Sequence, residues 1–335
     1  MASPAPGVAA RAGRAGIDPR LLRSLLPAFS LTLILLAIFW LQPRTMSFLG
    51  LNLLLNLSVP LALATVAQMC IITVNDLDLS IGAFVGLTAC ISATWLNEQP
   101  LLGIAALGVC VAAYGALGAL IHIRNLPSIV VTLGMSFVWL GVAIMILPTP
   151  GGDAPGWLAT LMKPKPDSVP FPFSAVVGVI PFPIIALVVI ALVAHAGLMW
   201  SAYGAVLRGI GGNARAVERA GWSLLQGKVV MYALAGFAGV LAGMALVGLT
   251  TSADANIAGR YTLLSIAGVI LGGGAFVGGR VSAVGAVMGA VTMTLAGSFL
   301  SFLKLNPDWQ IGAQGAILII VLALRVLLDR VEARR

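Results

Sequence analysis

The chain has 335 residues, of which 60% are hydrophobic and only 9% charged, and its mean hydropathy is +1.05. So little polar surface cannot cover a water-facing exterior, which excludes a soluble globular domain. The net charge of +8 would suit a nucleic-acid binder, but cytoplasmic loops of membrane proteins carry the same Lys/Arg excess, so no nucleic-acid partner is expected.

Residues 1–24 are small, Pro/Gly-rich and basic (Arg11, Arg14, Arg20, Arg23) and read as a disordered cytoplasmic tail. Membrane-length apolar runs follow at about 25–41, 51–73, 79–96, 101–121, 127–148, 173–199, 228–249, 262–279, 282–302 and 309–328. The fold expected is all-α, a polytopic transmembrane helix bundle of about ten spans over 25–328, with a short tail at 329–335. The first run is too long for a signal-peptide core and lacks a small-residue cleavage site, so it is expected to remain as an anchor. Cys70, Cys90 and Cys110 lie in three different apolar runs without metal-ligand spacing, and read as small buried hydrophobes. His122 and His195 sit near inner membrane ends, where a lone imidazole is structural.

Charge orients the bundle. With the N-terminus inside, the inner segments hold Arg11, Arg14, Arg20, Arg23, Arg124, Arg208, Arg215, Arg219, Lys228, Arg280, Arg325, Arg330, Arg334 and Arg335. The outer segments hold only Arg44, Lys163, Lys165, Arg260 and Lys304, a split of 14 to 5. The positive-inside rule then places both termini in the cytoplasm. The Pro/Gly-punctuated loop at 149–172 falls outside and divides the spans into two sets of five.

Three segments break the apolar pattern. The first is Val74-Asn-Asp-Leu-Asp-Leu-Ser-Ile-Gly82, with almost no linker between two spans. An Asp at the bilayer centre costs roughly 2.5–3.5 kcal/mol on insertion scales, so Asp76 and Asp78 require an explanation. One is a tight cytoplasmic turn in which Asp78 or Ser80 caps the next helix. The other is a discontinuous helix whose polar groups line a pathway or its gate, with Asp76, Asp78, Ser80 and Gly82 as the residues concerned. The second segment, Leu271–Arg280, places five glycines in eight positions and permits a helix break or close packing. Gly273 and Gly278 are its candidate gate residues. It lacks the Lys-Ser/Thr of a phosphate cradle and a preceding strand.

The third segment, Tyr203–Gly221, is a polar, basic insert between two spans within an inner loop at about 200–228. Ala214–Ala220 favours a short helix after Gly211-Gly212-Asn213, with Asn213 as its N-cap. It is either an ordinary basic loop or a docking helix for a cytoplasmic partner. No nucleotide-binding or hydrolytic motif occurs in the chain, which argues against an enzyme or a cofactor of its own.

At these segments the chain resembles the monosaccharide-type (ribose/xylose/galactose class) permeases of bacterial binding-protein-dependent ABC importers. Their Gly-Ile-Asp-Leu-Ser-Val-Gly pattern is matched by Asp76-Leu77-Asp78-Leu79-Ser80-Ile81-Gly82, and their Pro followed by Thr-Leu-Gly by Pro127 and Thr132-Leu133-Gly134. Their cytoplasmic Ile-Gly-Gly-Asn pattern is matched by Ile210–Asn213 with Ala216, Ala220 and Gly221. Their late glycine pattern is matched by Gly272, Gly273, Gly278, Gly279 and Arg280. Two departures stand out: Asn75-Asp76 replaces Gly-Gly or Gly-Ile, adding a carboxylate, and Gly274-Ala275-Phe276 replaces Gly-Thr-Ser. The resemblance implies an inner-membrane importer subunit that works with a cytoplasmic ABC ATPase, a periplasmic solute-binding protein and a second permease chain. ATP would be bound by the partner, and Gly211, Gly212, Asn213, Ala216, Glu218 and Gly221 would form the coupling site. A nucleoside or branched-chain amino acid permease of the same superfamily, or an ion-coupled secondary transporter using Asp76 and Asp78, are the rival readings.

Overall fold

In hydrocarbon every backbone N–H and C=O must be satisfied within the protein, so apolar runs of this kind become helices. The computed structural model describes residues 19–164 and 173–306 and some positions between 309 and 323. Most of the predicted tail at 1–24, part of the 149–172 loop, most of the predicted span at 309–328 and the tail at 329–335 lie outside the described residues. The helices are α1 Pro19–Leu41, α2 Phe48–Asn56, α3 Ser58–Thr73, α4 Ile81–Ala93, α5 Trp95–Glu98, α6 Pro100–Ile123 and α7 Ser128–Ile146. They continue with α8 Gly156–Met162, α9 Phe173–Val179, α10 Phe182–His195, α11 Ala202–Arg219, α12 Leu224–Thr250, α13 Tyr261–Leu271 and α14 Ala283–Phe302. Among the described residues the one β pairing is an isolated antiparallel bridge between Gly151 and Ala253.

Six described stretches are long and apolar enough to cross a membrane: Phe48–Thr73, Pro100–Ile123, Ser128–Ile146, Phe182–Trp200, Leu224–Thr250 and Ala283–Phe302. The runs expected at 79–96 and 262–279 contain much shorter helices, α4 with 13 residues and α13 with 11. Both are bordered by non-helical chain, residues 74–80 before α4 and residues 252–260 and 272–282 on either side of α13. The run at 173–199 is divided at Pro181, whose missing N–H fits a helix start and not a helix interior.

The 27-residue α12 is the central strut, packing on α3, α4 and α6. Gly236, Gly239 and Gly243 present one small-residue face, filled by large rings at Gly236 and Gly239 and by Thr88 and the α4 backbone at Gly243. A Cβ at Gly236 would lie 2.7 Å from Tyr114 Cβ, and one at Gly239 would lie 2.8 Å from the Phe84 ring. Phe84 and Tyr114 pack at 4.4 Å between centroids, with Trp139 stacked on Tyr114 at 6.2 Å.

The two ends of α12 mark two ends of the bundle. At its C-terminal end, Asp153 donates its N–H to the Ala93 carbonyl at 2.9 Å, and Ala154 to the Thr251 carbonyl at 2.9 Å. Thr251 then turns the chain in the left-handed conformation (φ 66°), and Ser252–Arg260 returns alongside α4 before α13 begins. Near its N-terminal end lie the three segments singled out in the sequence.

Candidate functional site

The first break begins as a regular helix cap. Asn75 N–H donates to Ile72 O and Asp76 N–H to Ile71 O, which is the paired bonding of a Schellman motif with Asn75 at the left-handed position (φ 65°). Asn is the residue that tolerates this conformation best after Gly, which explains the departure from the Gly-Gly pattern. Beyond the cap the chain runs unwound to Ser80, and neighbouring helices satisfy its backbone. Leu77 N–H donates to Ser128 Oγ at 3.1 Å and Leu79 N–H to Thr132 Oγ1 at 3.0 Å, both from the start of α7. Gly82 N–H, in the first turn of α4, donates to Thr262 Oγ1 at 3.1 Å.

The two carboxylates have separate environments. Asp76 pairs with Lys228 of α12 at 2.8 Å and accepts from the Tyr232 hydroxyl at 3.2 Å. Asp78 is fully buried: its Oδ1 accepts from Ser80 N at 2.7 Å and Ser80 Oγ at 2.8 Å, and its Oδ2 accepts from the Tyr114 hydroxyl. In the amide orientation that satisfies both partners, Gln68 donates to the Asp78 carbonyl at 3.1 Å and accepts from the Asp78 N–H at 3.2 Å. A buried carboxylate with three donors and no cation is a rigid tie between α3, α4 and α6.

The second break repeats the first cap. Gly273 (φ 92°) donates to Ile270 O and Gly274 to Val269 O, again in Schellman bonding, now at the end of α13. Ala275 N–H donates to Arg280 O at 2.8 Å, closing the loop on which Gly278 and Gly279 both take positive φ.

α11 joins the two. Asn213 leaves the helical conformation inside it (φ −155°, ψ 85°), and its Oδ1 accepts from Ala216 N at 3.1 Å. The second part is therefore a short capped helix that begins where the sequence indicated. It exposes Arg215, Ala216, Glu218 and Arg219 and ends in a Schellman cap at Gly221 (φ 87°). The first part lies directly against both breaks. At Gly211 an added Cβ would press on the Thr73 carbonyl and sit 2.9 Å from Gly279 Cα. At Gly279 an added Cβ would press on Arg208 O and lie 3.2 Å from Gly212 N. Ile210 also sits over Gly227, one residue before Lys228.

Thr73, Gly211 and Gly279, successively about 140 and 70 residues apart in sequence, thus meet backbone to backbone. Of the residues expected to act together, Asp76, Asp78, Ser80 and Gly82 form one continuous structure, and Gly211 and Gly212 face Gly278–Gly279. Glu218 and Ala216 face away from the breaks, on the exposed helix. Sequence reasoning did not anticipate Gln68, Tyr114, Ser128 and Tyr232. The available signal was polarity inside apolar runs, since a buried Tyr hydroxyl requires a partner. Thr132 was visible in the Thr-Leu-Gly match, and its hydroxyl is what caps Leu79.

The chain is 29% identical over 311 residues to the galactose/methyl galactoside import permease protein MglC of Escherichia coli (strain K12), covering 87% of this chain and 91% of that one. It is 26% identical to the ribose import permease protein RbsC of the same organism, with 80% and 81% covered. The probable ABC transporter permease protein y4mJ of Sinorhizobium fredii is 25% identical, with 92% and 89% covered. No solved structure matches. A profile of the family described as branched-chain amino acid transport system / permease component matches residues 50–322, and the chain belongs to that family.

Proposed function

We propose that this chain is the permease subunit of a bacterial ABC importer that carries a monosaccharide or related small polar solute across the inner membrane. Relatives along most of its length are sugar import permeases, which favours a sugar over the branched-chain amino acid of the family description. It would work with a cytoplasmic ABC ATPase that binds the ATP, a periplasmic solute-binding protein and a second permease chain, with lipid around the pair. The chain itself would hold no cofactor. About ten spans over 25–328 with both termini cytoplasmic accord with the 14-to-5 basic split, and would put α11 on the ATPase side.

One observation carries the mechanism: Gly211 packs between the Thr73 carbonyl and Gly279. A partner that moves the exposed turn at Asn213, Ala216, Glu218 and Gly221 moves both breaks with it. α11 and the breaks therefore act as one unit. Asp76, Asp78, Ser80 and Gly82 shape one side of the gate and Gly273 and Gly278 the other. An ATPase can drive such a gate only by binding its two conformations with different affinity. Asp76 is neutralised by Lys228 and Asp78 is enclosed by Ser80 and Tyr114, which disfavours ion coupling through either carboxylate.

The test is reconstitution with the ATPase and binding protein from the neighbouring genes. ATP-dependent uptake of radiolabelled galactose or ribose that requires all three components is expected. Uptake driven by an ion gradient without the ATPase, or uptake of leucine in place of sugars, would refute the assignment.

A further inference from the structure

The return segment between α12 and α13 is used by none of the three motifs, yet its depth is unusual. Gly239, the sixteenth of the 27 residues of α12, packs on Phe84 and Ile81 at the start of α4. At about 1.5 Å per residue this contact lies about 22 Å along a helix of about 40 Å, near the middle of the bundle. Ser252–Arg260 descends to that level. The Ala255 carbonyl abuts Gly86, and the carbonyls of Ala258 and Gly259 would lie 2.7 and 3.0 Å from a Cβ at Gly82.

Non-helical backbone at membrane depth occurs only where protein covers it or where it borders water. Ala253, Ala255 and Ala258 are covered, whereas Asn256, Gly259 and Arg260 are exposed. Neither the Asn256 amide nor the Arg260 guanidinium has a hydrogen-bond partner among the described residues. An ionisable side chain at this depth faces a wet cavity or a partner, not lipid. Beside them runs a groove of about 380 Å³ between α4, α7 and the start of α13. Its lining is mostly apolar (Leu79, Leu133, Phe137, Leu140 and Leu263), with Ser136 and Thr262 as hydroxyls, and Arg260 borders it by following the lining residue Gly259 in sequence. That size falls within the range of small-molecule sites.

We infer that Asn256 and Arg260, with this groove, contact the transported solute at mid-membrane and select for it. The inference rests on the proposed monosaccharide permease. The guanidinium supplies several donors and the amide both a donor and an acceptor, which suits a neutral polyhydroxylated molecule. The exposed Phe137 ring offers a flat apolar face for the C–H side of a sugar ring.

Two measurements on the reconstituted complex test this. In the first, Asn256→Cys and Arg260→Cys are exposed to a membrane-impermeant methanethiosulfonate, with Leu192→Cys, on the exposed face of α10, as the lipid-facing comparison. The native cysteines are buried and give no background. Labelling at least about tenfold faster than Leu192→Cys is expected at both positions. Labelling as slow as Leu192→Cys would overturn the inference. So would disulfide formation between two copies without labelling, which would make the segment a subunit contact.

In the second, Arg260→Gln and Asn256→Ala are assayed for galactose, ribose and leucine uptake alongside binding-protein-stimulated ATP hydrolysis. Uptake of the transported sugar should fall at least about tenfold while stimulated hydrolysis stays within about twofold of wild type, with Arg260→Lys partly restoring uptake. Unchanged uptake in both variants would remove them from the site. Fast labelling combined with leucine uptake and no sugar uptake would keep the wet pathway but overturn the sugar chemistry.

Discussion

Gly211 offers the sharpest perturbation, because its neighbour Gly212 provides an internal control. A Cβ at Gly211 meets backbone atoms on both sides: the Thr73 carbonyl, and Gly279 Cα and N at 2.9 and 3.0 Å. None of these is the end of a flexible side chain, so relief requires α11 to withdraw from one break. At Gly212 the nearest atom to an added Cβ is Gly278 O at 3.5 Å, an ordinary contact. Overpacking of this kind costs about 1–3 kcal/mol, which shifts the balance between packed and separated arrangements about 5- to 150-fold. The assay is the ratio of solute moved to ATP hydrolysed in proteoliposomes, together with a thermal melt. Gly211→Ala should lower that ratio at least about fivefold, and Gly212→Ala should stay within about twofold. Wild-type coupling in Gly211→Ala, or equal damage from both variants, would refute the reasoning.

The two carboxylates yield further expectations. Lys228→Met strands Asp76 with only the Tyr232 hydroxyl; for side chains 18% and 10% exposed, that falls between surface and fully buried pairs and should destabilise by about 1–3 kcal/mol. The double variant Asp76→Asn/Lys228→Met should recover much of this loss in thermal unfolding, and a double variant as unstable as the sum of the singles would contradict the pairing. Asp78→Asn keeps an acceptor for Ser80 and should fold, whereas Asp78→Ala strands buried donors at about 1–3 kcal/mol each. If the break is the gate, Asp78→Asn should lower uptake at an unchanged melting temperature, and near-wild-type uptake by Asp76→Asn/Asp78→Asn would end that role.

Much of the fold was legible because burial in hydrocarbon writes itself as unbroken apolar runs, and six of those runs are membrane-length helices. The lengths of α4 and α13 were not legible. The N–H groups of Leu77, Leu79 and Gly82 find their acceptors on Ser128, Thr132 and Thr262 of other helices, and nothing in the segment's own sequence marks those partners or where the helix starts. The Asn213 cap was legible, as its side chain acts three residues away. The cap at Asn75 was not, because Asn meets the left-handed requirement that Gly usually meets and carries no distinct signal within a polar stretch. Arg260, counted with the outer loops, lies near mid-bundle because the chain folds back along α4. The meeting of Thr73, Gly211 and Gly279 depends on three-dimensional packing that no local pattern encodes.

The central claim is that α11 and the two breaks move together. Spin labels at Ala205→Cys on α11, Val277→Cys on the second break and Trp157→Cys on α8, near the opposite end of α12, report it through pairwise distances. All three positions are exposed and the native cysteines are buried, so labelling is confined to these sites. With labelled chain diluted in unlabelled chain, distances are compared between the nucleotide-free complex and the complex trapped with ATP and vanadate. The account predicts a constant Ala205–Val277 distance while the distances from Trp157 to both change together. A changing Ala205–Val277 distance with a fixed Trp157–Val277 distance would contradict it.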